Sequence, residues 1–523
     1  MKAAPFTGPR ADPRATPRID PPSGPRAGRL LLWALAALVL ARGVSLAFYP
    51  LMDMTEARYA DIGRRMVESG DLVTPWFADG VPFWGKPPLS FWATALGFRL
   101  FGLNEMAARL PHLLLGVAVA ALVWRHARQQ SQRAAWHAVA LLAGSTLFLV
   151  ASGAVMTDMA LAVGTTLVMV GIWRALHAPA GDWVASVPWV LGAVIGMLAK
   201  GPVSLILWGV PLLAWVLLTG RLRTAWARVP WLRGMAVVVA LSLPWYLLAE
   251  ARSPGFLRYF IVGEHWHRFV TPGWSGDLYG TAHKFPRGSI WPFALIGVMP
   301  WPLLLGVVWL RSRRARFSDA SKHTSAEPST TALARPFAPA STEHFNAPAL
   351  RRPGEASYLW AWALTPCVFF SAAGNILWTY VLPGLPALAI LAGSWTASRA
   401  LRARAEGLLT AGLVLCTLAL MVWAGSPTVA ERMDEKSARA LVRDYQARAL
   451  PGEALYFLGR VPFSGSFYSD GQARPVDALE TLERGRVAFV ILNEKVYADA
   501  AAKLSERLTR VSARSGRVLV KVQ

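Results

Sequence analysis

The sequence predicts a polytopic α-helical membrane protein of about eleven transmembrane helices, with a small C-terminal α/β soluble domain. Of the 523 residues, 54% are hydrophobic and 16% are charged, whereas soluble domains carry about 25% charged residues. Apolar runs of about 20 residues, the length that crosses a bilayer, recur along the chain. The 24 Trp and 22 Phe are typical of aromatic belts at membrane surfaces. Together these observations exclude an ordinary cytosolic enzyme and a disordered chain.

The N-terminal part predicts a disordered basic arm followed by the first span. Residues 1–29 are rich in Pro, Gly and Arg. The apolar run 30–49 lacks a small-residue cleavage site, so we interpret it as a transmembrane helix rather than a signal peptide. The further predicted spans are 108–124, 135–151, 157–174, 186–199, 202–218, 231–249, 289–310, 358–376, 377–397 and 405–424.

Three other segments complete the predicted organisation. The stretch 87–102 is apolar but short and contains Arg99, which favours a re-entrant or interfacial helix. Residues 312–357 mix Ser, Thr, Ala, Pro and Arg without periodicity and predict a flexible cytoplasmic linker. The tail, 425–523, predicts a folded α/β domain. Its pattern indicates helices near 431–448 and 496–508 and strands at 454–459, 487–492 and 517–522.

The distribution of positive charge predicts the orientation. With the basic arm in the cytoplasm, the loops assigned to the inside carry 25 Lys and Arg, and those assigned outside (51–107, 200–201 and 250–288) carry 11. This asymmetry follows the positive-inside rule. It predicts that 30–424 is the membrane domain, that 51–107 and 250–288 are periplasmic loops, and that 425–523 is periplasmic.

Composition also narrows the class of protein. The formal net charge is +23, which a nucleic-acid binder could also show, but much of the excess lies in short loops between apolar runs. That placement favours a bilayer and anionic lipid partners. The two cysteines, Cys367 and Cys416, each lie in an apolar segment and give no disulfide framework or metal cluster. Without a GxGxxG or Walker motif, a nucleotide-driven pump is not indicated.

The first outside loop has the most informative pattern. In the segment from Asp53 to Met66, helical spacing puts Glu56 and Tyr59 near one face. Lys86 follows in a turn fixed by Gly and Pro. Acidic residues beside a membrane end and a lysine in a fixed turn could supply a base and a phosphate clamp. The alternative is a solvated interfacial helix followed by an ordinary turn.

Two further charged residues fall at the same predicted face. Asp158 opens one span, and Lys200 lies between two spans. A charge within the membrane is costly unless it is paired or faces a wet cavity, so it is a candidate functional residue. The alternative for each is a side chain that snorkels at a helix end.

The loop 250–288 adds imidazoles, charges and aromatic rings suited to an anionic lipid head and a sugar ring. Its candidate residues are His265, His267, Asp277, His283 and Lys284. The two histidines at i, i+2 could bind a metal on a strand but diverge on a helix. No supporting cluster accompanies them, so a divalent metal is possible but not indicated. Ordinary loop packing is the alternative.

Taken in order, the motifs resemble a known family. TEARYADIGRRM, SGDLVTPWF, WGKPPLSFW, LNEMAARLP, VMTDMALAVGTT, LAKGP, GWSGDLYGTAHKFPRG and WTYVLPGLPALA are similar to bacterial membrane glycosyltransferases of the GT-C fold. Within that fold the chain most resembles the aminoarabinose transferase and dolichyl-phosphate-mannose protein mannosyltransferase-like group, over roughly residues 30–400. The resemblance implies a polyprenyl-phosphate-linked sugar as donor and chemistry on the extracytoplasmic face.

The resemblance also implies roles for acidic residues. The family's first loop carries an Asp-Glu pair before Arg-Tyr; here Thr55 stands at the Asp position and Glu56 follows. Glu56 is therefore the first choice for the catalytic carboxylate and Asp53 the second. Asp158 matches the family's acidic residue at the start of a span.

Three basic residues, Arg58, Lys86 and Lys200, match the positions that the resemblance assigns to donor phosphate binding. Tyr59 and the five candidates of the second loop are expected to contact substrate. In aminoarabinose transferases a Glu often precedes the lysine of the second motif, whereas Gly85 stands there in this chain. That departure puts a specifically aminoarabinose assignment in doubt.

The expected reaction is direct displacement at sugar C1 with inversion and no nucleotide sugar. Lys and Arg would stabilise the leaving phosphate, strongly in a partly dehydrated cavity. A hydroxyl acceptor would need a carboxylate base, whereas an anionic acceptor such as the phosphate of lipid A would need only orientation. An envelope lipid, glycan or protein remains open as acceptor. The competing hypotheses are a transporter or flippase for lipid-linked sugars and a scaffold for the C-terminal domain.

Overall fold

Helices make up most of the computed structural model, which describes residues 27–280, 285–307, 310, 352–398, 402–482, 487–503 and 507–523. Within these ranges six helices are long and apolar enough to cross a membrane. They are Gly28–Ser45, Glu105–Ala127, Asp158–Leu176, Trp183–Lys200, Trp231–Arg252 and Ala405–Gly425. A bent pair, Ile290–Gly297 and Trp301–Val307, makes a seventh if it counts as one span. The chain is thus a mostly helical, multi-pass membrane protein.

Three predicted spans differ from uniform helices. The span 135–151 is divided into Gln132–Ala143 and Thr146–Ala151. The span 289–310 bends by 70° between its two parts, where Pro300 and Pro302 interrupt the helical hydrogen bonds. The span 377–397 begins as a 3-10 helix, Trp378–Gly384, and continues as Leu385–Thr396. Proline and glycine at these breaks shorten the helices below full membrane thickness.

The remaining helices are shorter or lie at the ends of spans. The predicted interfacial stretch 87–102 forms the helix Leu89–Phe101. Residues 1–26 of the predicted arm and 312–351 of the predicted linker lie outside the described residues. The helix Glu355–Phe370 already begins within the predicted linker. Other helices are Val203–Thr219, Leu222–Arg228 and Arg402–Gly425.

The apolar core centres on the helix Asp158–Leu176, which is buried along most of its length. Its closest neighbour is Trp183–Lys200. Glycine permits this approach, since a Cβ atom at Gly171 would lie 2.4 Å from the backbone nitrogen of Trp189. The tight pair therefore fixes Asp158 and Lys200, which stand at the same end of the two antiparallel helices.

Two loops lie at one end of the helical bundle. The first contains the helix Thr55–Ser69 and the hairpin of strands β1 (Trp76–Ala78) and β2 (Val81–Pro82). The second contains a continuous helical segment made of Phe256–Arg258, the π-helix Tyr259–His267 and Arg268–Val270.

The C-terminal part forms a five-stranded sheet of order β4-β3-β5-β7-β6. Its strands are β3 (Ala454–Leu458), β4 (Arg474–Val476), β5 (Ala488–Asn493), β6 (Leu508–Arg514) and β7 (Arg517–Val522). Strand β3 pairs in parallel with β4 and β5, and β7 pairs antiparallel with β5 and β6.

The helices of this part are Pro427–Asp434, Arg439–Gln446, Phe463–Tyr468 and Glu494–Lys503. Two differences from the predicted pattern are clear. The expected helix 431–448 is divided in two, and the helix expected to reach residue 508 is described as far as Lys503. Leu508 is instead the first residue of β6. The sequence of this strand does not alternate regularly between apolar and polar residues, so it did not predict a strand.

Candidate active site

The first group of predicted site residues lies on the helix Thr55–Ser69, which is buried on most sides. It packs against the helix Leu89–Phe101 and against the short helix Phe463–Tyr468. Glu56 and Tyr59 are both buried, 7% and 6% exposed. The helix is thus embedded between two others, and the alternative of a solvated interfacial helix does not describe it.

Glu56 forms a buried ion pair with Arg109. Arg109 donates from Nε to Oε1 and from Nη2 to Oε2 of Glu56, both at 2.8 Å. The other Arg109 donors reach the carbonyl oxygens of Leu46, Tyr49 and Pro50, each at 2.8 Å. All the donors of the guanidinium group are thereby satisfied. These contacts fasten the end of the first span to the loop and favour a structural role for Glu56.

Asp53, the second choice for a catalytic carboxylate, binds the C-terminal part of the chain. Ser464 donates its backbone N–H to Oδ1 at 2.9 Å and its hydroxyl to Oδ2 at 2.5 Å. The backbone N–H of Asp53 donates to the carbonyl oxygen of Lys436 at 2.8 Å. Burial raises the pKa of the Asp53 carboxyl against the opposing effect of the Ser464 bonds. Asp53 is therefore an anchoring residue in this structure.

Lys86 lies in a cluster of ion pairs with the second loop. Its Nζ donates to Oε2 of Glu264 at 3.1 Å. Arg268 donates to both oxygens of Glu264, at 2.9 and 3.1 Å, and lies 3.4 Å from Oδ2 of Asp277. These side chains are mostly shielded from solvent, with Lys86 at 17% and Glu264 at 6% exposure. Residues almost 180 positions apart thus form one charged group.

Glycine at position 85 leaves room for the Phe83 ring beside the turn that carries Lys86, and Glu264 lies next to this turn. A Cβ atom at Gly85 would lie 2.8 Å from the Phe83 ring and 3.4 Å from Oε1 of Glu264. In aminoarabinose transferases, the group that this chain resembles, a Glu often stands immediately before the lysine. In this chain the second loop supplies a carboxylate beside Lys86 instead.

Asp158 and Lys200 form a second ion pair, with Nζ 2.7 Å from Oδ1. The Lys200 ammonium also lies 4.9 Å from the centroid of the Tyr380 ring. His265 connects this pair to the first cluster, because its Nε2 lies 3.2 Å from the Lys200 carbonyl oxygen and the adjacent Glu264 binds Lys86. The structure therefore brings together Lys86, Asp158 and Lys200, whereas Glu56 is paired with Arg109.

The charges of the second loop are stabilised by one another. Although burial opposes it, Lys86 and Arg268 lower the pKa of Glu264. Burial alone would lower the pKa of Arg268, but Glu264 and the nearby Tyr380 raise it. Burial lowers the pKa of His265, which favours a neutral imidazole at pH 7. Glu264 and Arg268 consequently stay charged near neutral pH.

The combined group, which we call the cation cluster, contains three cations and three carboxylates. They are Lys86, Lys200, Arg268, Asp158, Glu264 and Asp277. A phosphate entering this group would compete with the carboxylates for the cations, and charge-assisted bonds make such an exchange favourable. A carboxylate released in that way would be free to accept a proton.

Arg58 lies on another side of the loop. It donates from Nη1 to the carbonyl oxygen of Tyr279, and its guanidinium carbon lies 5.4 Å from the Phe83 ring centroid and 5.9 Å from that of Phe463. Within the described ranges it forms no ion pair. Tyr59 packs against Phe83 with a centroid distance of 5.9 Å.

The other predicted residues of the second loop have different environments. His267 is exposed and stacks on Trp274. Asp277 accepts a bond from the backbone N–H of Tyr279 at 3.1 Å in addition to its contact with Arg268. His283 and Lys284 lie outside the described residues. In the described part of the chain, no group of three or more His, Cys, Asp or Glu could hold a metal ion.

Sequence reasoning missed four residues of this region: Arg109, Glu264, Arg268 and Asn375. Asn375 donates to the carbonyl oxygens of Arg268 at 2.5 Å and Thr271 at 3.0 Å. Arg109 lies inside a predicted span, and a charge within the membrane must be paired, so the sequence could have indicated this residue. Glu264 and Arg268 stand at i, i+4, and that spacing permits their ion pair.

The chain is similar to known proteins over much of its length. Residues 29–260 match the family model described as dolichyl-phosphate-mannose-protein mannosyltransferase. The chain is 31% identical over 348 residues to the undecaprenyl phosphate-α-4-amino-4-deoxy-L-arabinose arabinosyl transferase of Edwardsiella ictaluri, covering 65% of this chain and 54% of the relative. It is 29% identical over 388 residues to the protein of that name from Shewanella sediminis, covering 70% and 59%. The chain thus spans little more than half the length of these relatives.

The fold is shared with a solved structure. The crystal structure of ArnT from Cupriavidus metallidurans bound to undecaprenyl phosphate superimposes with a TM-score of 0.71. The match covers 95% of this chain and 98% of that chain at 22% identity. These findings confirm the resemblance to the GT-C aminoarabinose transferase and mannosyltransferase-like group.

Proposed function

From the premise that this chain resembles that group and has its fold, we propose that it is a glycosyltransferase. It moves a sugar from a polyprenyl-phosphate carrier to an envelope acceptor on the periplasmic face of the inner membrane. The observation that carries the proposal is the cation cluster, in which Lys86, Lys200 and Arg268 meet at one end of the helical bundle. The two relatives are named for a sugar carried on undecaprenyl phosphate, and those names support the proposed class of donor.

The three cations hold the donor phosphate in this proposal. The bond between sugar C1 and the phosphate oxygen breaks with its electron pair on the phosphate, so negative charge develops there. Lys86 and Lys200, two of the three residues expected for this role, are joined by Arg268, while Arg58, the third, is not part of the cation cluster. Because all three are largely shielded from water, they stabilise that charge far more than they would in bulk solvent. The isoprenoid chain lies in an apolar groove between spans.

Asp158 is assigned to the acceptor, because a phosphate that replaces it on Lys200 frees this carboxylate to accept a proton. An acceptor oxygen attacks C1 from the face opposite the phosphate, and the configuration inverts. Asp158 takes the proton of a hydroxyl acceptor or orients an anionic one. Glu56, bound to Arg109, has a positioning role, and Asp53 anchors the C-terminal part.

The proposed topology has about eleven spans, an N-terminus in the cytoplasm and a C-terminal domain, 425–523, in the periplasm. The proposed units are the arm 1–29, the membrane domain 30–424 with its linker 312–357, and the C-terminal domain. The bonds between Asp53 and Ser464 support a common side for the first outer loop and the C-terminal domain. The excess of Lys and Arg in the other loops supports the cytoplasmic side for those loops.

A reconstituted assay tests the function. The full chain in liposomes receives a labelled polyprenyl-phosphate sugar and extracted envelope lipids, glycans or proteins. We expect covalent transfer of label without nucleotide sugar, lost in Lys200→Gln and kept in the matched exposed-lysine control Lys495→Gln. Movement of the labelled lipid across the bilayer without transfer would contradict the proposal and support the flippase hypothesis.

A further inference from the structure

Two arginines converge on one aromatic ring where the C-terminal part meets the first outer loop. The guanidinium carbon of Arg460 lies 5.3 Å from the centroids of both Phe463 and Phe77. That of Arg58 lies 5.9 Å from the Phe463 centroid. The two rings touch edge to face at 5.0 Å. We call Arg58, Phe77, Arg460, Phe463 and the neighbouring Arg517 the Phe463 patch.

Among the described residues, no carboxylate forms an ion pair with Arg58, Arg460 or Arg517. The Nε of Arg58 and the Nη1 of Arg517 are buried and have no hydrogen-bond partner, which is costly unless a ligand supplies an acceptor. Asp53 is the acidic group nearby, and Arg517 affects its pKa, but Ser464 occupies both of its oxygens.

The position of the patch in the sheet is independent support. Arg460 follows the carboxyl end of β3, and Arg517 begins β7 opposite Asn493, the last residue of β5. Strands β3 and β5 are parallel neighbours. In open α/β sheets, ligands bind outside the carboxyl ends of parallel strands, where the connections diverge. Here β3 continues to β4 on one side while β5 flanks it on the other.

We propose that the Phe463 patch binds a phosphate monoester on the acceptor, separately from the donor phosphate in the cation cluster. This inference rests on the proposed function and deepens it. Guanidinium groups stacked on aromatic rings keep their planar donors free for bidentate contact with phosphate oxygens. Arg58 also binds the backbone of Tyr279, whose ring contacts Phe83 at 4.7 Å.

Lipid binding tests the patch directly. Native mass spectrometry of the full chain in detergent measures bound phosphatidic acid, a lipid phosphate monoester, against phosphatidylglycerol and phosphatidylcholine. We expect preference for phosphatidic acid, reduced about tenfold by Arg460→Gln and less by Arg460→Lys. The control Arg448→Gln alters an exposed arginine that has its own partner, Asp444, and should change nothing. Equal binding by wild type and Arg460→Gln would overturn the proposal.

Two further experiments distinguish a lipid phosphate from free phosphate, and the failure of this proposal from the failure of the proposed function. Inorganic phosphate that displaces phosphatidic acid at comparable concentration would overturn the lipid assignment in favour of a free anion. In the transfer assay, Arg460→Gln should raise the acceptor KM about tenfold with kcat and donor Kd unchanged; a weakened donor Kd instead would overturn the acceptor assignment. If the wild type transfers nothing, the proposed function fails, whereas the lipid-binding result still decides the patch.

Discussion

Replacing Glu56 with glutamine distinguishes a structural carboxylate from a catalytic base. The substitution keeps the shape of the side chain and removes its charge. Arg109 would then remain fully buried with three carbonyl bonds but no anion, because its side chain is 0% exposed. Breaking a buried ion pair by removing one partner costs about 3–5 kcal/mol. We therefore expect Glu56→Gln to lower the free energy of unfolding by about that amount.

A structural role and a catalytic role give different results in two measurements. Thermal unfolding in detergent, followed by tryptophan fluorescence, should show a large fall in Tm, while kcat per folded molecule falls less than about tenfold. A general base predicts the reverse, an unchanged Tm and a loss of about 100-fold or more in kcat. The matched control is Glu68→Gln on the same helix. Its pair with Arg64 is partly exposed, 46% at Glu68, so that change should cost less than about 1 kcal/mol. Normal stability of Glu56→Gln with lost turnover would refute the structural reasoning.

Three further predictions concern the cation cluster. Lys86→Ala should weaken binding of undecaprenyl phosphate about tenfold to 100-fold, since a charged hydrogen bond contributes about 1.5–3 kcal/mol; an unchanged Kd by titration would contradict the clamp. Asp158→Asn should destabilise the chain by about 3–5 kcal/mol because Lys200 loses its counter-ion, and Lys200→Met in the same chain should restore part of the Tm; no recovery would argue against a simple ion pair. The pKa of Glu264 is lowered, so its stabilising contribution is present above the ordinary glutamate pKa of about 4.3 and is lost as pH falls through the lowered value. Tm measured against pH should therefore decline more steeply on the acid side in wild type than in Glu264→Gln, and parallel curves would refute this.

The sequence alone predicted which helices exist better than where they break. Apolar length identified the helices from Glu105 and Asp158 almost to their ends, since every turn of a span must be apolar. The bend at Pro300 lies within a run whose composition is uniformly apolar, so hydropathy shows no boundary there. In the C-terminal sheet, β5 was evident as a continuous apolar run, whereas the edge strand β6 carries too many polar residues to stand out.

The sequence indicated individual candidate residues of the site but not the pairs that they form. Lys86, Asp158 and Lys200 could be identified because charges near membrane segments need a reason to be there. Their partners could not, because Glu264 lies 178 residues from Lys86 along the chain and one sequence carries no record of contact. The same limit applies to Glu56, which looked available for chemistry until Arg109 was found bound to it.

A structure of the full chain with undecaprenyl phosphate in a lipid nanodisc would locate the donor directly. The account predicts phosphate density within charge-assisted hydrogen-bond distance, about 2.7–2.9 Å, of the Lys86 and Lys200 ammonium groups, with Asp158 or Glu264 displaced from its present partner. Phosphate found near the bilayer midplane, or at any position that leaves both ion pairs intact, would contradict it.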